Sequence, residues 1–166
     1  MIETKPIITL IQEVAVATVV GALTLNYQPG ASAQIIADLT RKKLVSIKYP
    51  LLAMLTPIQV QRTEAGFYGR VRIPLITFAM YSELNTLVLD RYAAGGTFLT
   101  VLYPFYYEFL KQLSYHELVI NEDDGTFKHT LEEAPGVDKI QNTTDFVDCL
   151  NIRDLEFNLT QKVNCL

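Results

Sequence analysis

The side chains able to do chemistry are few: two histidines, two cysteines and 18 acidic groups in 166 residues. His116 and His129 flank Asp123-Asp124-Gly125, a good hairpin turn. Such a hairpin would bring the two imidazoles near each other across its strands, with Glu117 or Glu132 as further metal ligands. Exposed strand histidines are the commoner outcome of that spacing. Asp145 and Asp148 stand three apart and share a face if a helix capped by Thr143 or Thr144 runs to Leu150. Paired carboxylates do general acid–base work, but acids in a first helical turn also simply answer the helix dipole. Gly95-Gly96-Thr97 precedes a helix without the lysine or G-x-G-x-x-G pattern of a phosphate cradle, so it reads as a tight turn. Ser114 and His116 are too close in sequence for a triad, and there is no nucleophile elbow. Cys149 and Cys165 form no C-x-x-C and have no nearby histidine, which suits buried or free thiols in a reducing compartment. The expectation is a protein that is not an enzyme, with no cofactor and no metal.

Positive charge is placed more pointedly. Arg70 and Arg72 share one face of a strand, Arg62 lies in the loop beside them, and Lys48 is expected across from them. Copied around a ring, the four would form a basic collar suited to phosphate backbones or acidic neighbours. In a single subunit the same group is an ordinary solvated strand end. The net charge of −4 argues against general nucleic-acid coating, so a local patch is the most to be expected.

The elements that must position these groups follow from periodicity. The organising stretch is Thr97–His116, with an apolar face of Leu102, Phe105 or Tyr106, Phe109 and Leu113 at helical spacing. Pro104 suits a first turn, so the helix starts near Tyr103 or bends there. Tyr103, Tyr106 and Tyr107 are candidates for subunit contact, because aromatic side chains dominate interface energetics. Upstream, residues 6–25 form an apolar helix, 26–30 a turn, and Ser32 caps a second helix through Arg41. Leu44–Leu55 reads as a strand that Pro50 confines to an edge or a bulge. Phe67–Tyr81 is a longer strand, and the two form a long hairpin whose loop, near Pro57–Gly66, projects. Ile152–Gln161 alternates cleanly, with Leu155, Phe157 and Leu159 on the buried side. This is one α+β domain over 1–166, with a body at 44–166: a small, twisted, mainly antiparallel sheet with helices on one side.

Hydrophobic residues are 49% of the chain and charged ones 19%, so a monomer has few polar side chains with which to cover itself. Protein–protein contact or an unusually apolar core would answer that. Residues 6–25 carry one charge, Glu13, over a length that would span a membrane. Gln12, Glu13 and three threonines dilute the stretch and the leading residues are not basic, so packing against protein is expected in place of an anchor or signal peptide.

The order of pieces is an apolar helix, Lys48-Tyr49-Pro50-Leu51-Leu52, a long strand at Ile73–Tyr81, Arg91 before Leu102-Tyr103-Pro104, then Asp145-Phe146-Val147-Asp148-Cys149-Leu150 and a final alternating strand. It resembles the small connector and tail-completion proteins of tailed bacteriophages, especially crAss-like phages infecting Bacteroidetes. The resemblance covers most of the chain from Lys48 onward and rests on packing motifs. It implies a structural virion protein, assembled in the host cytoplasm into a homo-oligomeric ring, twelve-fold before six-fold, between portal and tail. Its implied partners are neighbouring portal, connector or tail proteins and, without sequence preference, packaged DNA. The competing expectation is a non-viral membrane-associated or protein-binding module anchored by the N-terminal segment.

Overall fold

A computed structural model describes residues 6–42, 44–62, 68–83, 85–120, 127–137 and 146–160. In chain order the elements are α1 (Ile7–Ala17), β1 (Val19–Val20), β2 (Leu23–Thr24), β3 (Asn26–Gly30), α2 (Ser32–Arg41), α3 (Val45–Lys48), β4 (Leu51–Leu55) and β5 (Gln59–Arg62). Then come β6 (Tyr68–Tyr81), α4 (Val88–Arg91), α5 (Tyr103–Tyr115), β7 (Val119–Ile120), β8 (Lys128–Val137) and β9 (Val147–Thr160).

The frame is the antiparallel pair β6 and β9, each of 14 residues, in register from Tyr68↔Thr160 to Tyr81↔Val147. β4 and then β5 line the outer edge of β6, while β8 and β7 line the outer edge of β9. β3 adds to β4 in parallel and closes that side of the sheet. The α+β class, the mainly antiparallel sheet and the long β4/β5–β6 hairpin are those the periodicity indicates.

Alternation is stepped in the middle of the frame. Val71 and Ile73 face the main core, but so do Ile76 and Phe78; on β9, Leu150 and Ile152 face it together with Leu155 and Phe157. The parity changes where Pro74, which has no N–H to give, stands opposite Asp154, whose φ is +54°. Proline inside a sheet belongs at such an irregularity, and aspartate tolerates the left-handed region better than most residues. Leu75 therefore leaves the side shared by Val71 and Ile73, where strict alternation puts it, and joins the opposite face.

One face is covered by α1 and α5. Leu10, Ile11, Val14 and Ala15 of α1 pack with Phe105, Tyr106, Phe109 and Leu113 of α5 over Leu52, Met54, Ile76 and Phe78. α5 is entered through a π-helical turn at Phe98–Leu102, with the Tyr103 N–H donating to Phe98 O. That widening lets Pro104 sit in the first α turn, where a missing donor costs nothing. α2 lies against the other face, its Ile35 and Leu39 packing with Leu51, Ala53, Ala79 and Cys149.

Several elements depart from the sequence reading. α1 stops at Ala17 because Thr18-Val19-Val20 is β-branched and Gly21, at φ +60°, turns the chain into the β1–β2 hairpin. The segment 26–30 is an edge strand and not a turn: the Asn26 amide donates to the carbonyls of Ile47 and Lys48 at 3.1 Å each, and Pro29 is tolerated at an edge. The first part of Leu44–Leu55 is the helical turn α3, and β4, which starts only after Pro50, is an interior strand. β7 and β8 each pair with β9 and not with each other, and residues 147–150 are strand where a helix was expected. Thr143, Thr144, Asp145, Gly66, Cys165 and the Asp123-Asp124-Gly125 turn lie outside the described residues.

Candidate functional site

The buried polar centre of the molecule is a guanidinium. Arg91, 2% exposed at the end of α4, pairs with Asp148 of β9, which is wholly buried. The Arg91 Nη1 donates to Asp148 Oδ1 and to Ser82 Oγ, and Nη2 donates to the carbonyls of Glu83 and Thr86 at 3.1 Å each. Asp148 Oδ1 also accepts the Gly136 N–H at 2.8 Å, and the Phe146 ring lies 5.1 Å from the guanidinium carbon. The planar fork of arginine suits this work, since it satisfies several acceptors at fixed angles. A buried pair gains little net stability over apolar side chains, whereas losing one partner is costly. The arrangement is a clamp: it ties the connection 82–86 to β9 and β8 and offers no open position for a substrate.

What the clamp presents is apolar. Leu87, Val88 and Leu89 follow directly on the clamped carbonyls and are all exposed, Leu89 to 83%. Leu99, on the π turn, is exposed as well. A second feature lies on the α2 face: a cavity of about 390 Å³ with Ile35, Ile36, Leu39, Leu75, Ala79 and Ala134 in its walls. Inside it the Thr77 hydroxyl donates to Asn151 Oδ1 at 2.7 Å.

The basic group expected from the sequence is split up. Arg70 is 3.1 Å from Glu156, and Arg72 is 2.9 Å from Asp154 and 3.9 Å from Glu156, so each arginine meets its counter-charge on β9 of its own chain. Both stay about half exposed, at 56% and 47%. Lys48 is not across from them: it is buried on α3, and β4 begins opposite Ala79, far along β6 from Arg72. Arg62 is on β5, in register with Gly69. Of the three tyrosines, only Tyr107 is exposed; Tyr103 is half-buried and stacks with it, and Tyr106 is in the core.

The histidines are not brought together. His116 pairs with Glu13 at 3.1 Å. His129 directs Nδ1 at the Phe127 carbonyl, 2.7 Å away, so in the neutral ring Nδ1 donates and Nε2, 2.8 Å from the Tyr106 hydroxyl, accepts. Burial raises the Tyr106 phenol pKa. Among the described residues no group of His, Cys, Asp and Glu could hold a metal ion.

Burial, with the Asp148 charge beside it, pushes the Cys149 thiol up to about 12 from 9.0. Burial and a hydrogen bond to Glu133 push the Tyr92 phenol up to about 12. Between pH 9 and 12 the Cys149 thiol therefore holds its proton more in the native than in the unfolded chain, and stability falls as pH rises, by at most ~1.4 kcal/mol per pH unit for this buried group. The partly exposed Tyr92 acts in the same direction above pH 10. Below pH 9 that contribution is fully present. Urea midpoints from pH 8 to 11 should fall, and Cys149→Ala should flatten part of the decline; an unchanged midpoint would contradict the burial.

The fold and site together define an α+β domain with a structural salt-bridge clamp, an exposed apolar knuckle and an apolar cavity. No family model, curated protein or solved structure matches the chain.

Proposed function

We propose that the chain is a structural virion protein that forms a ring in the neck or tail connector of a tailed phage, between portal and tail, helping to join head to tail around the DNA channel. The observation that carries this reading is the set of large apolar side chains held at the surface by a rigid frame, Leu87, Val88, Leu89, Leu99 and Tyr107 among them. Three consecutive exposed aliphatic side chains, Leu87–Leu89, mark a protein contact more strongly than singly exposed residues do. A heterologous contact between copies closes into a ring when the rotation allows it, and twelve-fold symmetry is the order the resemblance to phage connectors implies. Neighbouring rings and, non-specifically, DNA are the proposed partners.

The arginine face enters this reading in reduced form. Arg70 and Arg72 keep outward N–H groups for an acidic neighbour or a phosphate, but Glu156 and Asp154 already offset much of their charge. The alternative of a membrane-associated or protein-binding module anchored by residues 6–25 is less well supported. α1 has 11 residues and buries Leu10, Ile11, Val14 and Ala15 in the chain's own core. No helix among the described residues is long and apolar enough to cross a membrane.

Mass measurement and negative-stain imaging of the concentrated protein, alone and with isolated phage necks, test the proposal. Ring-shaped high-order species, or a ring added to the neck, are the expected result. A monomer that never joins a virion would overturn it.

A further inference from the structure

We propose that the Leu87–Leu89 knuckle of one copy seats in the cavity under α2 of the next, making a head-to-tail contact between identical chains. This rests on the ring reading above and says which surfaces would meet. Three observations lead there.

The first is position. Cys149 and Ala79 line the cavity, while Asp148, next along β9, points to the other side of the sheet and holds Arg91. Knuckle and cavity thus belong to opposite faces of one sheet. Each copy offers one of each, which is the condition for a heterologous contact and not a two-fold one.

Fit is the second. The cavity walls are aliphatic, and exposed Ser32 and Glu132 in the lining show that it reaches solvent. The knuckle is three consecutive aliphatic side chains whose carbonyl neighbours at 83 and 86 are fixed by Arg91, so little ordering entropy is lost on docking.

Charge is the third. Glu83 and Asp90, both exposed, bracket the knuckle. Arg41, its side chain 82% exposed, stands at the end of α2 beyond Leu39 of the cavity wall and keeps a loose 3.8 Å contact with the half-exposed Asp38 one turn earlier. Glu132, the acid at the rim, already has Arg153 as its partner. The acidic flanks would therefore meet the basic end of α2, which orients the contact more than it strengthens it.

The test uses the full-length chain with Leu89→Asp, which spoils the knuckle, and Ala134→Trp, which fills the cavity. Each is followed by sedimentation velocity across a concentration series, with circular dichroism to verify folding. Wild type should assemble, and each variant alone should associate at least ~10-fold more weakly. Mixed together, the two variants should form a one-to-one dimer and stop there, because each retains the half the other has lost. If Ala134→Trp does not fold, Thr77→Phe fills the same cavity. Variants that assemble like wild type would overturn this contact and leave the ring reading standing. A mixture that stays monomeric would also overturn it. Wild type that remains monomeric at every concentration would overturn the contact, and would overturn the ring reading too if the chain also fails to join isolated phage necks. Tight uptake of a small apolar dye by the cavity of assembled wild type would show that no knuckle fills it, and would overturn the contact too.

Discussion

Replacing Arg91 with leucine is expected to destabilise the protein by ~3–5 kcal/mol, measured by urea unfolding at neutral pH. The loss comes from what the substitution leaves behind. Asp148 would remain as a wholly buried charge, and the Ser82 hydroxyl and the carbonyls of Glu83 and Thr86 would lose their donor. The Gly136 N–H alone cannot balance a buried carboxylate. The double variant Arg91→Leu, Asp148→Leu should recover much of the difference, since two apolar side chains leave no uncompensated charge. A double-mutant cycle with a coupling of several kcal/mol is therefore the expected signature. Two additive, small effects would mean that the pair is not the clamp its geometry indicates. Loosening the clamp also frees the segment that carries Leu87–Leu89, so in the double variant self-association should suffer more than stability does.

Phe109→Ala is expected to cost a comparable ~3–5 kcal/mol, whereas Tyr107→Ala should leave the fold within ~0.5 kcal/mol of wild type. Phe109 is fully buried and meets Phe78 of β6 edge to face, with ring centroids 5.5 Å apart. Its removal opens a cavity under α5 and breaks an aromatic pair worth more than its area alone. Tyr107, two residues earlier, projects from the same helix into solvent. The two variants separate the roles of the aromatic helix: thermal melts report the core face, and oligomer mass reports the exposed one. A large stability loss at Tyr107, or none at Phe109, would contradict this assignment.

The local pattern was strong enough to specify much of this. Apolar spacing placed α5 and α2, and alternation placed the outer half of β9, because a helix face or a strand face must be buried whatever it is buried against. The bulk apolar composition pointed to exposed hydrophobic surface as well as to a full core. What the chain could not reveal locally is who sits opposite whom. Asp148 read as a helical acid beside Asp145, and Arg91 only as a residue that precedes the aromatic helix. Their pairing spans 57 residues and exists only because β9 passes the end of α4. Arg70 and Arg72 read as free charge because Glu156 and Asp154 are distant in sequence and adjacent only through the β6–β9 register. The stepped alternation at Pro74 and Asp154 likewise belongs to neither strand alone. Periodicity is written in short windows, whereas charge pairing, register and a cavity between a helix and a sheet are properties of contacts that the chain makes only once it has folded.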